Sequence, residues 1–384
     1  MATNKRNAKG NGSIRRRSDG RWEGRYTVTR DGNGKQVSRS VYGKTKEEVR
    51  KKLASVTVEL DEGSYLEPTK YTLESWCSEW LEVYVKPSVK RSTYDKYEND
   101  MRVCILPKLG RIKLADLDAA RIQHVYNDLL KNHAVKGVKN IHGELHRCLQ
   151  QAVLMGYIRN NPTDRCVLPK CRRKKVEILE TEDVIKFLEA IKSDRFETIY
   201  FVTLFTGLRE SEVLGLTWDC IDFEEGEVLV NKQLAKTKHI GGDYTFTPTK
   251  NGKERYVPVA PTVLRALAEH RKVQEGWKEA AGSAWCDELN LVFTNEIGEH
   301  LVQDTVYSHF KKIVAQIGKP NLRFHSLRHS YAVSCLEYGD DVKTVQENLG
   351  HSSAAFTLDV YGHVNRNMKR RSAQHMEDFI SKVS

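Results

Sequence analysis

The spacing of apolar residues changes character twice along this 384-residue chain, so no single repeating architecture accommodates all of it. Residues 13–42 alternate polar and apolar side chains, as half-buried strands do. Residues 72–161 instead place apolar side chains three and four apart, as helices do, and the chain beyond residue 177 mixes helical patterns with short strands. The sequence therefore predicts an α+β multidomain protein: a small three-stranded sheet with a helix, an all-α domain, and a mainly α domain with a small β-sheet.

Turn and cap residues define the first predicted domain, residues 1–66. Asp-Gly pairs separate three predicted strands, which are Ser13–Arg17, Arg21–Arg30 and Gln36–Tyr42. Thr45 followed by Glu48 is the pattern of a capping box and predicts a helix over Lys46–Leu60. We expect the sheet to present arginine and aromatic side chains on one face to a DNA groove. These residues are Arg15, Arg16, Arg17, Arg21, Trp22, Arg25 and Tyr26.

The second predicted domain spans residues 67–168. It follows a linker at Gly63–Lys70 and shows four or five helical patterns. The best defined are Leu73–Val85, Thr93–Val103, Ala119–Lys131 and Lys139–Met155. Basic side chains near one helix start are candidates for phosphate contacts; they are Lys86, Lys90, Arg91 and Lys96.

A basic, proline-containing stretch, residues 169–176, forms the next predicted linker and precedes a third domain, residues 177–384. We predict two early helices there, Glu182–Ile191 and Glu197–Leu208. Strands are expected at Glu227–Val230, Tyr244–Thr247 and Glu254–Val259, and a last helix at Met368–Val383.

The charge is concentrated at one end of the chain. Residues 1–66 hold 16 basic and 8 acidic residues, which supplies +8 of the net +11. A basic segment on a near-neutral remainder indicates a polyanion partner, although a solubilising basic tail has the same composition. The sequence shows no apolar run of membrane-spanning length and no signal-peptide pattern, so we expect a cytoplasmic protein with no membrane partner. Its eight cysteines form no CxxC pair, and we expect reduced thiols.

Two residues of the third domain stand in settings suited to phosphate chemistry. Gly207 breaks a helix, so Arg209 lies near a new helix N-terminus, where a guanidinium and backbone amides suit an anion. Lys250 lies beside the Asn251-Gly252 turn of a predicted hairpin, which can carry a lysine into a DNA groove. The ordinary alternatives are a surface ion pair and a solubilising turn lysine.

Histidines follow in two further segments. His325 and Arg328 are three apart and share a face if the segment is helical. His329 raises the question of a zinc pair with His325, but Ser326 stands where the HExxH motif needs glutamate, and the sequence offers no third ligand. We therefore predict no metal. His351 comes directly after a glycine.

Tyr361 stands ten residues after His351 and directly before a glycine, as if it closes a helix with some freedom to move. In order, these elements resemble the tyrosine recombinases, the phage integrase family. The resemblance covers nearly the whole chain, with residues 1–66 similar to an arm-site-binding domain and residues 67–168 to a core-site-binding domain. The catalytic set it implies is Arg209, Lys250, His325, Arg328, His351 and the nucleophile Tyr361, with Glu212 in support.

The resemblance also implies a mechanism and partners. Arginines and histidines would stabilise charge on the phosphate oxygens while the tyrosine forms a 3′-phosphotyrosine and the lysine protonates the 5′-oxygen. Neither a metal nor a nucleotide cofactor would be needed. The implied partners are double-stranded DNA carrying core and arm attachment sites, three further copies in a homotetramer on a Holliday junction, an excisionase and a host DNA-bending protein.

Several alternatives remain open from the sequence alone. The chain could be a DNA-binding protein that does not cut, a type IB topoisomerase, or a chromosome-dimer recombinase of the Xer type, which normally lacks an arm-binding module. A requirement for two specific DNA sites separates these. The last helix could pack on its own domain or dock on a neighbouring protomer, and either His325 or His351 could be the general base.

Overall fold

The chain divides into two units, Met1–Arg173 and Lys174–Ser384, a division that falls inside the predicted linker 169–176. This computed structural model describes residues 13–30, 32, 35–62, 65, 69–171, 177–236, 244–286, 288–350 and 366–383. None of the helices in these ranges is both long and apolar enough to cross a membrane.

The first unit begins with the predicted sheet and helix. Strands β1 (Ser13–Arg16), β2 (Trp22–Arg30) and β3 (Gln36–Gly43) pair antiparallel in that order, and α1 (Lys46–Asp61) packs on one face. The hydroxyl of Thr45 accepts from the Glu48 amide at 3.2 Å and caps α1. The predicted three-stranded sheet and the helix that follows it are confirmed.

The two aromatic residues of β2 lie on the helix-covered face. Strand alternation turns Trp22, Gly24 and Tyr26 toward α1, and Tyr26 is only 6% exposed. A Cβ atom on Gly24 would lie 2.6 Å from side-chain atoms of Val49 and Leu53, so the helix sits directly on the sheet there. The prediction that Trp22 and Tyr26 share an open face with the arginines was wrong, because the domain needs these rings for its own small core.

The open face of the sheet carries ordered basic side chains. Arg15 Nε donates to Glu23 at 2.8 Å, and the Ser40 hydroxyl donates to the other carboxylate oxygen at 2.8 Å. Both hydrogen bonds lower the pKa of Glu23. The Arg17 guanidinium lies 5.7 Å from the ring centre of Tyr42, which is 43% exposed. This face, rather than the one that α1 covers, is available to a polyanion.

A helical domain completes the first unit. Its helices are α2 (Leu73–Trp80), α3 (Arg91–Asp100), α4 (Leu106–Leu109), α5 (Ala119–Asn132) and α6 (Val135–Leu154). Helices α2 and α3 each run into a π-helical turn, Leu81–Val85 and Met101–Ile105, and short 3₁₀ turns lie at Leu114–Asp116 and Pro162–Arg165. The core centres on Trp76, whose indole donates to the Cys148 carbonyl at 2.9 Å.

Two helix starts in this domain differ from prediction. The helix expected at Thr93 begins two residues earlier, at Arg91, with the extended residue Lys90 as its N-cap. The helix expected at Lys139 begins at Val135. Neither start has a side-chain cap, so no capping residue marks these positions in the sequence.

The second unit is mainly helical. Its helices are α7 (Thr181–Ile191), α8 (Glu197–Thr206), α9 (Glu210–Leu214), α10 (Pro261–Ala281), α11 (Gln303–Gln316), α12 (His325–Tyr338), α13 (Val342–Leu349) and α14 (Arg366–Val383). Short 3₁₀ turns lie at Trp218–Cys220 and Gly282–Ala284. Helix α8 is mostly apolar, and the ring of its Tyr200 packs against the fully enclosed rings of Phe310 and Phe324, so the helix is held firmly.

The strands of this unit pair differently from prediction. They are β4 (Ile221–Asp222), β5 (Glu227–Val230), β6 (Lys232–Lys236), β7 (Tyr244–Pro248) and β8 (Arg255–Pro258). Strand β8 pairs with β5, and β7 pairs with β6. The predicted hairpin of β7 with β8 was therefore wrong, although a tight turn does connect them. The reason is β6, whose Lys-Gln-Leu-Ala-Lys sequence lacks β-branched residues and was missed, and which pairs with β7.

Candidate catalytic site

The first site arginine is positioned by a sharp break between two helices. Helix α8 ends at Gly207, which has a left-handed φ of 66°. A Cβ atom there would lie 2.5 Å from Tyr331 and 2.8 Å from Leu349, so glycine is required both for the turn and for the close approach. Arg209 follows as the extended N-cap of α9, which directs its side chain out of the buried helix end.

A buried carboxylate holds this arginine in place. Glu212 has no exposed side-chain surface and pairs with Arg209 at 2.6 Å and with Arg255 at 2.7 Å. It also accepts from the Arg209 amide at 3.0 Å, which satisfies a helix N-terminal donor. Burial alone would raise the pKa of Glu212, but hydrogen bonds and charges from Arg255 and Arg209 lower it to about 2. The carboxylate is therefore ionised under any physiological condition.

The second site arginine is enclosed by the protein. Arg328 is 1% exposed, and its guanidinium donates to the Gly207 carbonyl at 2.6 Å and to the Leu349 carbonyl. These two carbonyls lie at the ends of α8 and α13. Arg328 therefore ties the segment before Arg209 to the segment before His351.

Several side chains of the site bind to the C-terminal end of α13. Its last carbonyls, Asn348, Leu349 and Gly350, accept hydrogen bonds from side chains of four separate segments. The donors are Arg255 to Asn348 (2.8 Å), Arg328 to Leu349, and both Arg209 (3.2 Å) and Asn251 (3.0 Å) to Gly350. Helix C-terminal carbonyls lack intrahelical partners and carry partial negative charge, so guanidinium groups suit them. His351 is the next residue along the chain.

His325 lies in the field of these cations. It starts α12, is exposed on one side, and stacks edge-on with His329 at 4.6 Å between ring centres. Partial enclosure by the protein, followed by the charges of Arg328, Arg209 and Lys250, lowers the pKa of His325 to about 4. The imidazole is therefore neutral near pH 7 and can accept a proton.

The structure thus brings together Arg209, Glu212, Lys250, His325 and Arg328. His351 and Tyr361 lie outside the described residues, and their roles remain predictions from the sequence.

Two residues of the site were missed in the sequence. Arg255 shares a strand face with Val257, which is fully buried. A charged arginine on a buried strand face needs a carboxylate partner. This pattern can be recognised in the sequence and would have predicted a buried ion pair at Arg255. Nothing in the sequence marked Asn251 as a site residue, because a turn already explains an Asn-Gly pair.

The basic residues predicted to contact phosphate in the helical domain all lie at the surface. Lys86 and Arg91 each pair with a carboxylate one turn away, at 2.5 and 2.9 Å. Exposed pairs of this kind contribute about 0–1 kcal/mol, so a phosphate can replace the carboxylate. Lys90 is also exposed. Lys96 differs, because it pairs with the buried Glu144, and burial raises the pKa of that carboxyl.

Comparisons with known proteins agree with this architecture. The model of the phage integrase family matches residues 177–368, and that of the phage integrase N-terminal SAM-like domain matches residues 72–130. The chain is 32% identical over 371 residues to a tyrosine recombinase XerC-like protein of Caldanaerobacter subterraneus subsp. tengcongensis. That alignment covers 92% of this chain and 95% of the relative.

Two solved structures share the fold. The Tn1549 transposon integrase in complex with a circular intermediate DNA matches with a TM-score of 0.69 and 21% identity, over 80% of this chain and 100% of the other. A lambda integrase tetramer bound to a Holliday junction matches with a TM-score of 0.53 and 19% identity, over 91% and 97% of the two chains. The predicted fold class is confirmed.

Proposed function

The chain belongs to the phage integrase family of tyrosine recombinases, and we propose that it cuts and rejoins DNA with the side chains gathered at the end of α13. It is a site-specific DNA recombinase of the kind that integrates and excises mobile elements. The observation that carries the proposal is the convergence of Arg209, Lys250, His325 and Arg328 next to the segment that continues into His351.

The chemistry follows from the charges at the site. A phosphodiester attacked by Tyr361 gains negative charge on its nonbridging oxygens, which the Arg209 guanidinium can bind directly while the buried Arg328 adds positive charge to the site. The neutral His325 can take the phenol proton, and Lys250 gives a proton to the departing 5′-oxygen. The 3′-phosphotyrosine product conserves the bond energy, so a 5′-hydroxyl from a second duplex can reverse the step without a nucleotide or metal cofactor.

A two-site recombination assay tests this function. Supercoiled plasmids carrying cloned ends of the mobile element, singly or in pairs, are incubated with the protein in EDTA. We expect recombinant circles only where two cognate sites are present. Relaxation of plasmids without a site would indicate a type IB topoisomerase, and site binding without strand cleavage would indicate a regulator that does not cut.

We further propose that the active assembly is a homotetramer that α14 helps to connect. One side of this helix carries apolar side chains that are 48–65% exposed; they are Met376, Phe379, Ile380 and Val383. Such a patch favours a protein partner over solvent, and the lambda integrase tetramer on a Holliday junction supports four copies as that partner. An excisionase and a host DNA-bending protein remain proposed partners, and the cytoplasm the proposed location.

We propose that the first domain binds arm sites through its open face, and a matched pair of arginines tests this. Arg25 lies on the open face, across from Ser40, whereas Arg16 lies opposite Trp22 on the helix side. We expect Arg25→Ala to weaken arm-DNA binding and to lower the salt dependence by about 0.9 log units of affinity per log unit of salt, the value for one lost phosphate contact. Arg16→Ala should change this slope less. Equal slopes for the two variants, measured by fluorescence anisotropy across a salt series, would contradict the assignment.

A further inference from the structure

The turn that carries Lys250 has a fixed backbone. The Gly252 amide donates to the Thr249 carbonyl at 2.9 Å, and Gly252 has a left-handed φ of 67°. Thr249 is 3% exposed, and its hydroxyl donates to the Lys253 carbonyl at 2.8 Å. Lys250 therefore occupies the second position of a tight turn whose first residue is anchored in the protein.

The other neighbour of Lys250 is tied to the catalytic site. The Asn251 amide group donates to the Gly350 carbonyl at 3.0 Å, and the same carbonyl accepts from Arg209 at 3.2 Å. Strands β7 and β8 on either side belong to different sheets, so strand pairing does not hold the two arms of this turn together. The Asn251 contact thus fixes the tip of the turn to the same carbonyl that holds the phosphate-binding Arg209.

Lysine needs such support more than arginine does. Its ammonium is a point charge on a flexible four-carbon stem, and a proton donor must lie within hydrogen-bond reach of the departing oxygen. Fixing the backbone on both sides of Lys250 restricts where the ammonium can go. The Lys250 charge already reaches His325, since it contributes to lowering the pKa of that imidazole.

We propose that Asn251 is a positioning residue that holds Lys250 in place to protonate the leaving group. This inference rests on the proposed function, which assigns Lys250 as the general acid. In that step the phenol proton passes to His325 and the tyrosine oxygen bonds to phosphorus. The bond from phosphorus to the 5′-oxygen breaks, and the ammonium proton of Lys250 passes to that oxygen.

The test compares two suicide substrates that differ in one bridging atom. One is an ordinary nicked core site, and the other carries sulfur in place of the 5′-bridging oxygen at the cleavage position. A thiolate leaves without being protonated, because thiols are far more acidic than alcohols. Single-turnover formation of the covalent adduct is measured for wild type, Lys250→Ala, Asn251→Ala and Asn251→Asp, which keeps the shape but lacks the donor. Lys253→Ala, a lysine of the same turn with an exposed side chain, is the matched control.

On the oxygen substrate, we expect Lys250→Ala to slow adduct formation about 10²- to 10⁴-fold. The two Asn251 variants should slow it about 10- to 100-fold, the cost of misplacing a catalytic group. On the sulfur substrate, all three should react within about threefold of wild type, because no general acid is needed. For Lys253→Ala, the ratio of the adduct-formation rates on the two substrates should equal that of wild type.

Each result is decisive because it compares two substrates within one variant. If Lys250→Ala is equally slow on both substrates, the general-acid assignment in the proposed function fails. If Lys250→Ala is rescued by sulfur but the Asn251 variants are not, the positioning role fails and Asn251 acts on Arg209 or on folding instead. Melting temperatures and core-site affinities identify a folding defect, which slows both substrates alike.

Discussion

Replacing Tyr361 with phenylalanine should abolish the covalent protein–DNA adduct and leave DNA binding intact. The substitution removes one hydroxyl, which is the proposed nucleophile, and preserves the ring. A phenol with an ordinary pKa of about 10 needs nearby cations and a proton acceptor before it attacks phosphorus, and we expect the Arg209 guanidinium and the neutral His325 to serve as these. The measurement is a denaturing gel of protein and labelled nicked core-site DNA incubated in EDTA.

The matched control is Tyr338→Phe, because Tyr338 is 79% exposed at the end of α12 in the same domain. This variant should form the adduct at the wild-type rate. An adduct that persists in Tyr361→Phe would show that another of the 16 tyrosines is the nucleophile. An adduct that forms with wild type only when magnesium replaces EDTA would contradict the cofactor-free chemistry.

The fold was predictable where one local signal dominated. Thr45 with Glu48, the Asp-Gly turns and the apolar stripe of α8 each gave an element that the structure confirms. The wrong predictions share a physical cause: in each case, a segment distant in the sequence determines the local structure. Strand β6 forms because β7 pairs with it, and Trp22 faces inward because α1 needs a core.

The candidate site shows the same division. Arg209, Lys250, His325 and Arg328 could be selected because their order along the chain resembles a known family. Asn251 could not, since its contact to Gly350 joins segments about 100 residues apart, whereas Arg255 was marked only by its place on the buried face of a strand. The end of α13 accepts these hydrogen bonds only in the folded protein. The acceptors are backbone carbonyls, which every residue type has, so the sequence does not identify them.

The substitution Glu212→Gln should cost about 3–5 kcal/mol of folding free energy, because it breaks a buried ion pair from one side. Two guanidinium groups, of Arg209 and Arg255, would keep their charges in a buried site without the carboxylate that offsets them. The melting temperature of the purified protein should fall by roughly 10 °C. The matched control is Glu189→Gln, an exposed partner of Lys192, which should stay within about 0.5 kcal/mol of wild type.

The pH dependence of this cost distinguishes lost charge from lost packing. The folded pKa of Glu212 is about 2, below its ordinary 4.5, so its stabilisation is complete above about pH 4.5 and disappears as the pH falls toward 2. Glutamine has no such titration. The difference in unfolding free energy between wild type and Glu212→Gln, from urea titrations at stepwise lower pH, should therefore shrink through this window. The lowered pKa values of His325 and His329 destabilise both proteins in acid and largely cancel in the difference. A difference that stays constant from pH 7 to pH 3 would mean that Glu212 stabilises the fold by shape rather than by charge, and Arg209 would then owe its position to packing alone.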